Sequence, residues 1–348
     1  MMRPILAVLL APLLVACLAI LPGCQRGPPP VVVYCAHDRE FAEEILRLFT
    51  RKTGIPVAER YDTEANKSVG LYEDLLREAA KPRCDVHWNN EILATIRLHK
   101  QGILAPYASP SAEPFPEAFK AKDGAWTAFA ARARVLLVNT NLVKESDAPR
   151  GLLDLAKPQW QGRVAMAKPM FGTTASHAAC LFQSWGKADA QAFYRQLKDN
   201  GVNLLPGNKQ VAAAVGSGQF AVGMTDTDDA MAEIAAGKPV RMVFPDADAP
   251  ADSKRGVLFL PNTVAMVKGC PNPDGARQLI DFLLSPEVET RLAKSASRQI
   301  PLNPKIRLDS LKPIETPSTV RAMPVDFAQA AEAWADSQQF LVDLFALR

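Results

Sequence analysis

The chain lacks the sequence signs of most catalysts. No G-x-S-x-G, H-E-x-x-H or Walker-type phosphate loop occurs in it, so the usual signatures of serine hydrolysis, zinc peptidase chemistry and nucleotide hydrolysis are missing. No CxxC pair occurs either, and neither a zinc ribbon nor a thioredoxin-like dithiol has support. Basic residues (40) and acidic residues (37) nearly balance, with no basic block. A nucleic-acid partner needs a concentrated cationic face, so it is excluded as the main partner. No internal repeat and no heptad run is visible. Tyrosine is scarce: Tyr34, Tyr61, Tyr72, Tyr107 and Tyr194 are all there are.

What is present describes a folded, exported body. Hydrophobic residues make up 48% and charged ones 22% of 348 residues, so a core can form. The length exceeds one ordinary domain of about 100–200 residues and suits two. Proline (28) outnumbers glycine (19), which implies many stiffened connections.

The first segment reads as a leader rather than as fold. Arg3 precedes an apolar stretch from Ile5 to Leu21, which ends at Leu21-Pro22-Gly23-Cys24. Residues 1–23 are expected to be an export signal and residues 24–30 a polar, proline-rich tether. A cysteine after a small residue at such a point resembles a bacterial lipoprotein box, which makes Cys24 the expected lipidation site. Leu14-Val15-Ala16-Cys17 also fits the box. Cys24 is preferred, because the residues after Cys17 are still apolar and make a poor tether. An uncleaved transmembrane anchor is the alternative. Both readings put the body outside the cytoplasm. Cys35, Cys84, Cys180 and Cys270 remain; no spacing selects a disulfide pairing, and buried free thiols are the simpler reading.

The body alternates strand and helix. Val31–Cys35 is a β-branched run suited to a strand covered on both faces. Phe41, Ile45, Leu48 and Phe49 then recur at helical spacing until Gly54. Strands follow at Ile55–Val57 and Asp85–Trp88, with helices around 69–79 and 91–102. A long strand is expected over Trp126–Asn139. Shorter ones are expected at Arg163–Ala167, Val202–Leu204, Phe220–Thr225, Gly256–Leu260 and Thr263–Val267. Helices fit Thr174–Trp185, Ala188–Asp199, Lys209–Ser217, Pro273–Leu284, Pro286–Ser295 and a final stretch Phe327–Leu347. This order implies an α/β fold of two mainly parallel units flanked by helices. The expected division is lobe 1 over 31–133 with 251–348 returning to it, and lobe 2 over 134–250. The final helix is a candidate to pack on lobe 2. In such sheets ligands collect beyond the carboxyl ends of the strands.

Several segments, in order, resemble the extracellular solute-binding proteins of ABC importers, in their ferric-ion-binding branch. They are Val33-Tyr34-Cys35-Ala36-His37-Asp38, Asp85–Glu91, Ala131–Val135, Asn139-Thr140, Phe171–Thr174, Gly207-Asn208 and Pro261–Thr263. The resemblance implies a two-lobe periplasmic-binding-protein fold (type II) whose lobes close on a solute by hinge motion. It also implies a monomer that hands the solute to a membrane permease and its ATPase. Ferric iron with a synergistic phosphate or carbonate is the solute so implied, and no other cofactor is required.

The resemblance also marks residues. His37 and Glu91 match positions that reach the metal in relatives, although a solvated histidine and a first-turn acid would explain them too. Gly172-Thr173-Thr174 is implied to hold an anion, and such a helix start suits one; an ordinary Thr cap is the alternative. Asn208 matches an asparagine that helps hold the same anion. At Thr225-Asp226-Thr227-Asp228-Asp229 the chain departs from its ferric-binding relatives, which carry two adjacent tyrosines there. Asp226, Asp228 and Asp229 offer oxygen donors instead. They suit a hard cation. They equally suit the hydroxyls or amine of a small organic anion, such as a phosphorylated, phosphonate or carboxylate solute. A hydrolase built on Ser176-His177 is the remote alternative, because adjacent residues of one helix point apart.

Overall fold

The computed structural model describes residues 27–62, 70–307 and 314–347, so the leader and Cys24 lie outside the described residues. Val31–Cys35 forms strand β1, buried almost throughout because helices cover both of its faces. Helix α1, Arg39–Thr53, turns Ala42, Ile45, Leu46 and Phe49 inward. It stops at Gly54, whose φ of 73° lets its N–H return to the Thr50 carbonyl. Strand β2 (Val57–Tyr61), helix α2 (Gly70–Arg77), strand β3 (Val86–Asn89), helix α3 (Ile92–Lys100) and the two-residue strand β4 (Leu104–Ala105) complete the first unit. β2, β1 and β3 are neighbours and parallel, as the β-α-β-α-β order requires.

Strand β5, Thr127–Asn139, is buried at all 13 positions. It leads to strand β6 (Val164–Ala167), helices α4 (Gly172–Ser184) and α5 (Lys187–Asp199) and strand β7 (Asn203–Leu205). Helix α6 (Asn208–Gly216), strand β8 (Val222–Asp226), helix α7 (Thr227–Ala235) and strand β9 (Val240–Val243) follow. Strand β10 (Phe259–Val267) and helices α8 (Pro273–Leu283), α9 (Pro286–Lys294), α10 (Phe327–Glu332) and α11 (Trp334–Phe345) complete the chain. The strands run in the order β2-β1-β3-β10-β5-β8-β6-β7, with β4 beside β10 and β9 beside β5. β6, β7 and β8 are mutually parallel where they pair.

β5 serves both halves of this order. Its residues 127–133 pair antiparallel with β10, and residues 134–139 pair with β8 and β9. Leu136, Leu137 and Val138 are fully buried there, each stabilising by about 1.5–3 kcal/mol relative to exposure. Within the half paired with β10, Ala130 takes a φ of 44° and the register slips opposite it, between Pro261 and Asn262.

Three expectations change. Gly256–Leu260 and Thr263–Val267 are not two strands: β10 runs unbroken past Pro261, because the slip beside Ala130 absorbs the irregularity. The stretch Phe327–Leu347 divides at Ala333 into α10, which packs on α3 and α4, and α11, which packs on α4 and α5. Phe340 of α11 meets Phe182 with ring centroids 5.8 Å apart. The strands β4 and β9 gave no apolar run long enough to read.

Candidate functional site

The carboxyl ends of β6, β7 and β8 each lead into a helix: α4 at Gly172, α6 at Asn208 and α7 at Thr227. Three helix starts therefore meet on one side of a narrow cavity. Each carries unpaired backbone N–H groups and about half a positive charge. Gly172 begins α4 with a φ of 51°, a conformation that favours glycine, and Phe171 at the cap brings no side-chain acceptor. Thr173 and Thr174 are thus in the first helical turn itself, not in a loop before it. Asn90 and Arg132 face them from the other side, with Asp226, Asp229 and Lys168 completing the polar lining. The space between is narrow, with room for about one or two waters.

The expected anion residues lie together. Asn208 donates from Nδ2 to Thr173 Oγ1 (2.9 Å) and to Asp226 Oδ2 (3.0 Å). It accepts from Thr174 Oγ1 at 3.0 Å. Thr173 Oγ1 in turn donates to Asp226 Oδ2. Asp226 is therefore on the same wall as the threonines.

Arg134 is the reason the acid is tolerated there. Its Nη1 donates to Asp226 Oδ1 at 2.8 Å, to Asn208 Oδ1 at 3.1 Å and to Thr173 Oγ1 at 3.3 Å. Arg134 and Asp226 are direct cross-strand partners of β5 and β8, and both are buried. Two residues earlier, Arg132 repeats the arrangement: Nη1 lies 3.3 Å from Asp228 Oδ2, and Nη2 donates to His37 Nδ1 (3.1 Å) and Asn262 Oδ1 (3.2 Å). Burial works against the Arg132 cation, but Asp228 and Asp226 outweigh it and raise its pKa. These two arginines carry the centre of the site, and reading the sequence for ligands missed them as site residues. Their signal was available: two arginines inside the otherwise apolar run 128–138.

His37 and Glu91 do not line the cavity. His37 stacks on Trp88 with centroids 5.4 Å apart and accepts from Arg132. Glu91 caps α3: its carboxylate accepts from Leu93 N (2.7 Å), Ala94 N (2.9 Å) and Ser176 Oγ (2.7 Å). Burial raises its pKa despite these bonds. The carboxylate that the resemblance assigned to a metal is thus occupied by a helix start and a hydroxyl. Ser176 and His177 engage different partners. The hydroxyl binds Glu91, whereas Arg134 Nε donates to His177 Nδ1 at 3.4 Å. Burial, then the Arg134 charge, hold the His177 pKa well below the usual imidazole range.

Asp226, Asp228 and Asp229 have carboxylate oxygens within 4.8 Å of one another, the cluster that a hard cation would need. Two of the three are ion-paired, to Arg134 and Arg132. No tyrosine lines the cavity: Tyr34 binds Glu78, Tyr107 binds Asp281, and Tyr194 is buried against Phe193. Cys84, Cys180 and Cys270 are free thiols.

Comparison with known proteins gives this geometry a family. Residues 94–329 match the family model described as bacterial extracellular solute-binding protein. The chain is 27% identical over 324 residues to iron uptake protein A1 of Synechocystis sp., covering 86% of each chain. It is also 27% identical over 266 residues to a putative 2-aminoethylphosphonate-binding periplasmic protein of Salmonella typhimurium, covering 74% of this chain and 73% of the relative. Among solved structures, iron-bound HitA from Pseudomonas aeruginosa superposes with a TM-score of 0.79 at 23% identity, over 91% of this chain and 99% of the other. The fold is accordingly the two-lobe periplasmic-binding-protein fold. With a model match across more than half of its length, the chain belongs to the bacterial extracellular solute-binding protein family.

Proposed function

We propose that the protein is the solute receptor of an ABC importer and that it captures a small organic anion carrying an amine or hydroxyl group. The observation that carries this reading is the pairing of Asp226 and Asp228 with the buried Arg134 and Arg132. It turns two of the three clustered acids from open metal ligands into neutral pairs beneath three helix starts. An anionic head fits against Thr173, Thr174 and Asn208, and a hydrogen-donating tail fits towards Asp229. The 2-aminoethylphosphonate relative is consistent with such a solute.

In this reading residues 31–133 with 251–348 form lobe 1 and residues 134–250 form lobe 2, with β5 and β10 as the connection. The narrow cavity corresponds to closed lobes, and an organic solute enters when they part. Cys24 anchors the body by lipid outside the cytoplasmic membrane, next to the permease and its ATPase, as a monomer without catalytic activity.

Ferric iron with phosphate or carbonate is the second reading. It is favoured by the carboxylate cluster and by the iron-binding relatives. Elemental analysis with native mass spectrometry on protein purified without chelator separates the two. An organic anion without metal supports the first; stoichiometric iron replaces it with the second. Calorimetry and small-angle scattering with 2-aminoethylphosphonate should then show binding with a smaller radius of gyration.

A further inference from the structure

The charged groups around the cavity are not equivalent. Asp226 is held by Arg134, and Arg132 by Asp228, so these four carry little net charge between them. Lys168 differs. It follows the last residue of β6, lines the cavity and is exposed. Its backbone N–H is fixed to the Leu205 carbonyl at 2.9 Å, which anchors the position between the starts of α4 and α6. No acid among the described residues forms an ion pair with its ammonium.

The charge balance follows from these positions. One carboxylate or other monoanion at the starts of α4 and α6 is already compensated by the helix dipoles, at about half a charge each. With Asp229 given to the hydrogen-donating tail, the ammonium beside these helix starts favours a second negative charge on the same head. A lysine ammonium suits this as a mobile point charge on a long stem that can follow a solute into the cleft.

We propose that Lys168 is the charge-selecting residue of this site and sets its preference for a dianionic head, a phosphate monoester or phosphonate, over a carboxylate. This rests on the organic-anion reading and narrows it. The ammonium closes over the head from the mouth of the cleft, while Thr173, Thr174 and Asn208 hold it from within.

The test is calorimetry on the full-length protein with 2-aminoethylphosphonate and with β-alanine, which carries the same amine and a carboxylate in place of the phosphonate. Wild type should bind the phosphonate more tightly. Lys168→Met should weaken phosphonate binding by roughly tenfold or more and shift β-alanine binding little, as expected for loss of one charge-assisted contact. Lys168→Arg should restore most of the preference. Because Lys168 is exposed, the variants should melt like wild type. Equal phosphonate affinity in wild type and Lys168→Met overturns the role of Lys168 and leaves the solute class standing. Equal losses on both probes also overturn charge selection. Absence of binding of either probe to wild type overturns the solute class and this inference together.

Discussion

Ser176 on α4 donates its hydroxyl to the buried carboxylate of Glu91 at 2.7 Å, joining residues 85 apart in sequence. The same carboxylate holds the first N–H groups of α3, so one acid ties two helices across the site. Its burial has a pH signature. Unfolded, Glu91 releases its proton near the ordinary value of about 4.3; folded, burial raises that value. Below both values the group contributes its full stability. As pH climbs, the unfolded chain ionises first, and stability is lost until pH passes the raised folded value. Glu91→Gln removes this slope. The melting temperature of the variant relative to wild type should rise as pH climbs above about 4; a constant difference would contradict the raised pKa. Glu289, also raised by burial, adds a slope of the same sign to both proteins and cancels in the comparison.

The Arg134–Asp226 pair predicts an asymmetric mutational response. Asp226→Asn leaves a buried guanidinium without its counter-charge. The expected cost is about 3–5 kcal/mol, read from the urea midpoint. Arg134→Met with Asp226→Leu removes both charges and should cost less than the single change, while solute binding is lost. A double variant less stable than Asp226→Asn would show that the pair itself supplies net stability.

Iron chemistry should differ from that of a tyrosinate site. Tyr34, Tyr107 and Tyr194 are engaged away from the cavity, and no tyrosine lines it. Adding Fe(III) should produce no intense visible charge-transfer band, and a chelator should leave the melting temperature unchanged. A red complex at stoichiometric iron would mean that a tyrosine reaches the site.

Ala130 marks the slip in the pairing of β5 with β10. Its φ of 44° is costly for any residue with a Cβ, by about 1–3 kcal/mol. Ala130→Gly should be neutral or stabilising by up to about 1 kcal/mol. Ala130→Val should destabilise by more than 1–2 kcal/mol, roughly the strain of a branched Cβ in that region. Chemical denaturation of the three proteins checks the order.

Much of the fold was legible because its signals are local. Phe41, Ile45 and Phe49 recur within one helix, and Val31–Cys35 declares a two-sided strand by composition alone. The grouping of Gly172, Thr173, Thr174 and Asn208 was legible for a similar reason: they lie just after predicted strands. The course of β10 was not legible, because Pro261 is tolerated only through the slip opposite Ala130, about 130 residues away.

The acids show most clearly where sequence stops. Asp226, Asp228 and Asp229 stand as a carboxylate run in the chain, and that run fixes their chemistry as oxygen donors. Whether those oxygens are open to a cation depends on what lies across the sheet. The antiparallel register of β5 on β8 sets Arg134 opposite Asp226, 92 residues away, and the same strand brings Arg132 to Asp228. Hydrophobic periodicity is written between neighbours in the chain and survives in sequence alone. Charge compensation falls off over a few ångströms in space, so only the folded register decides which acid meets which base.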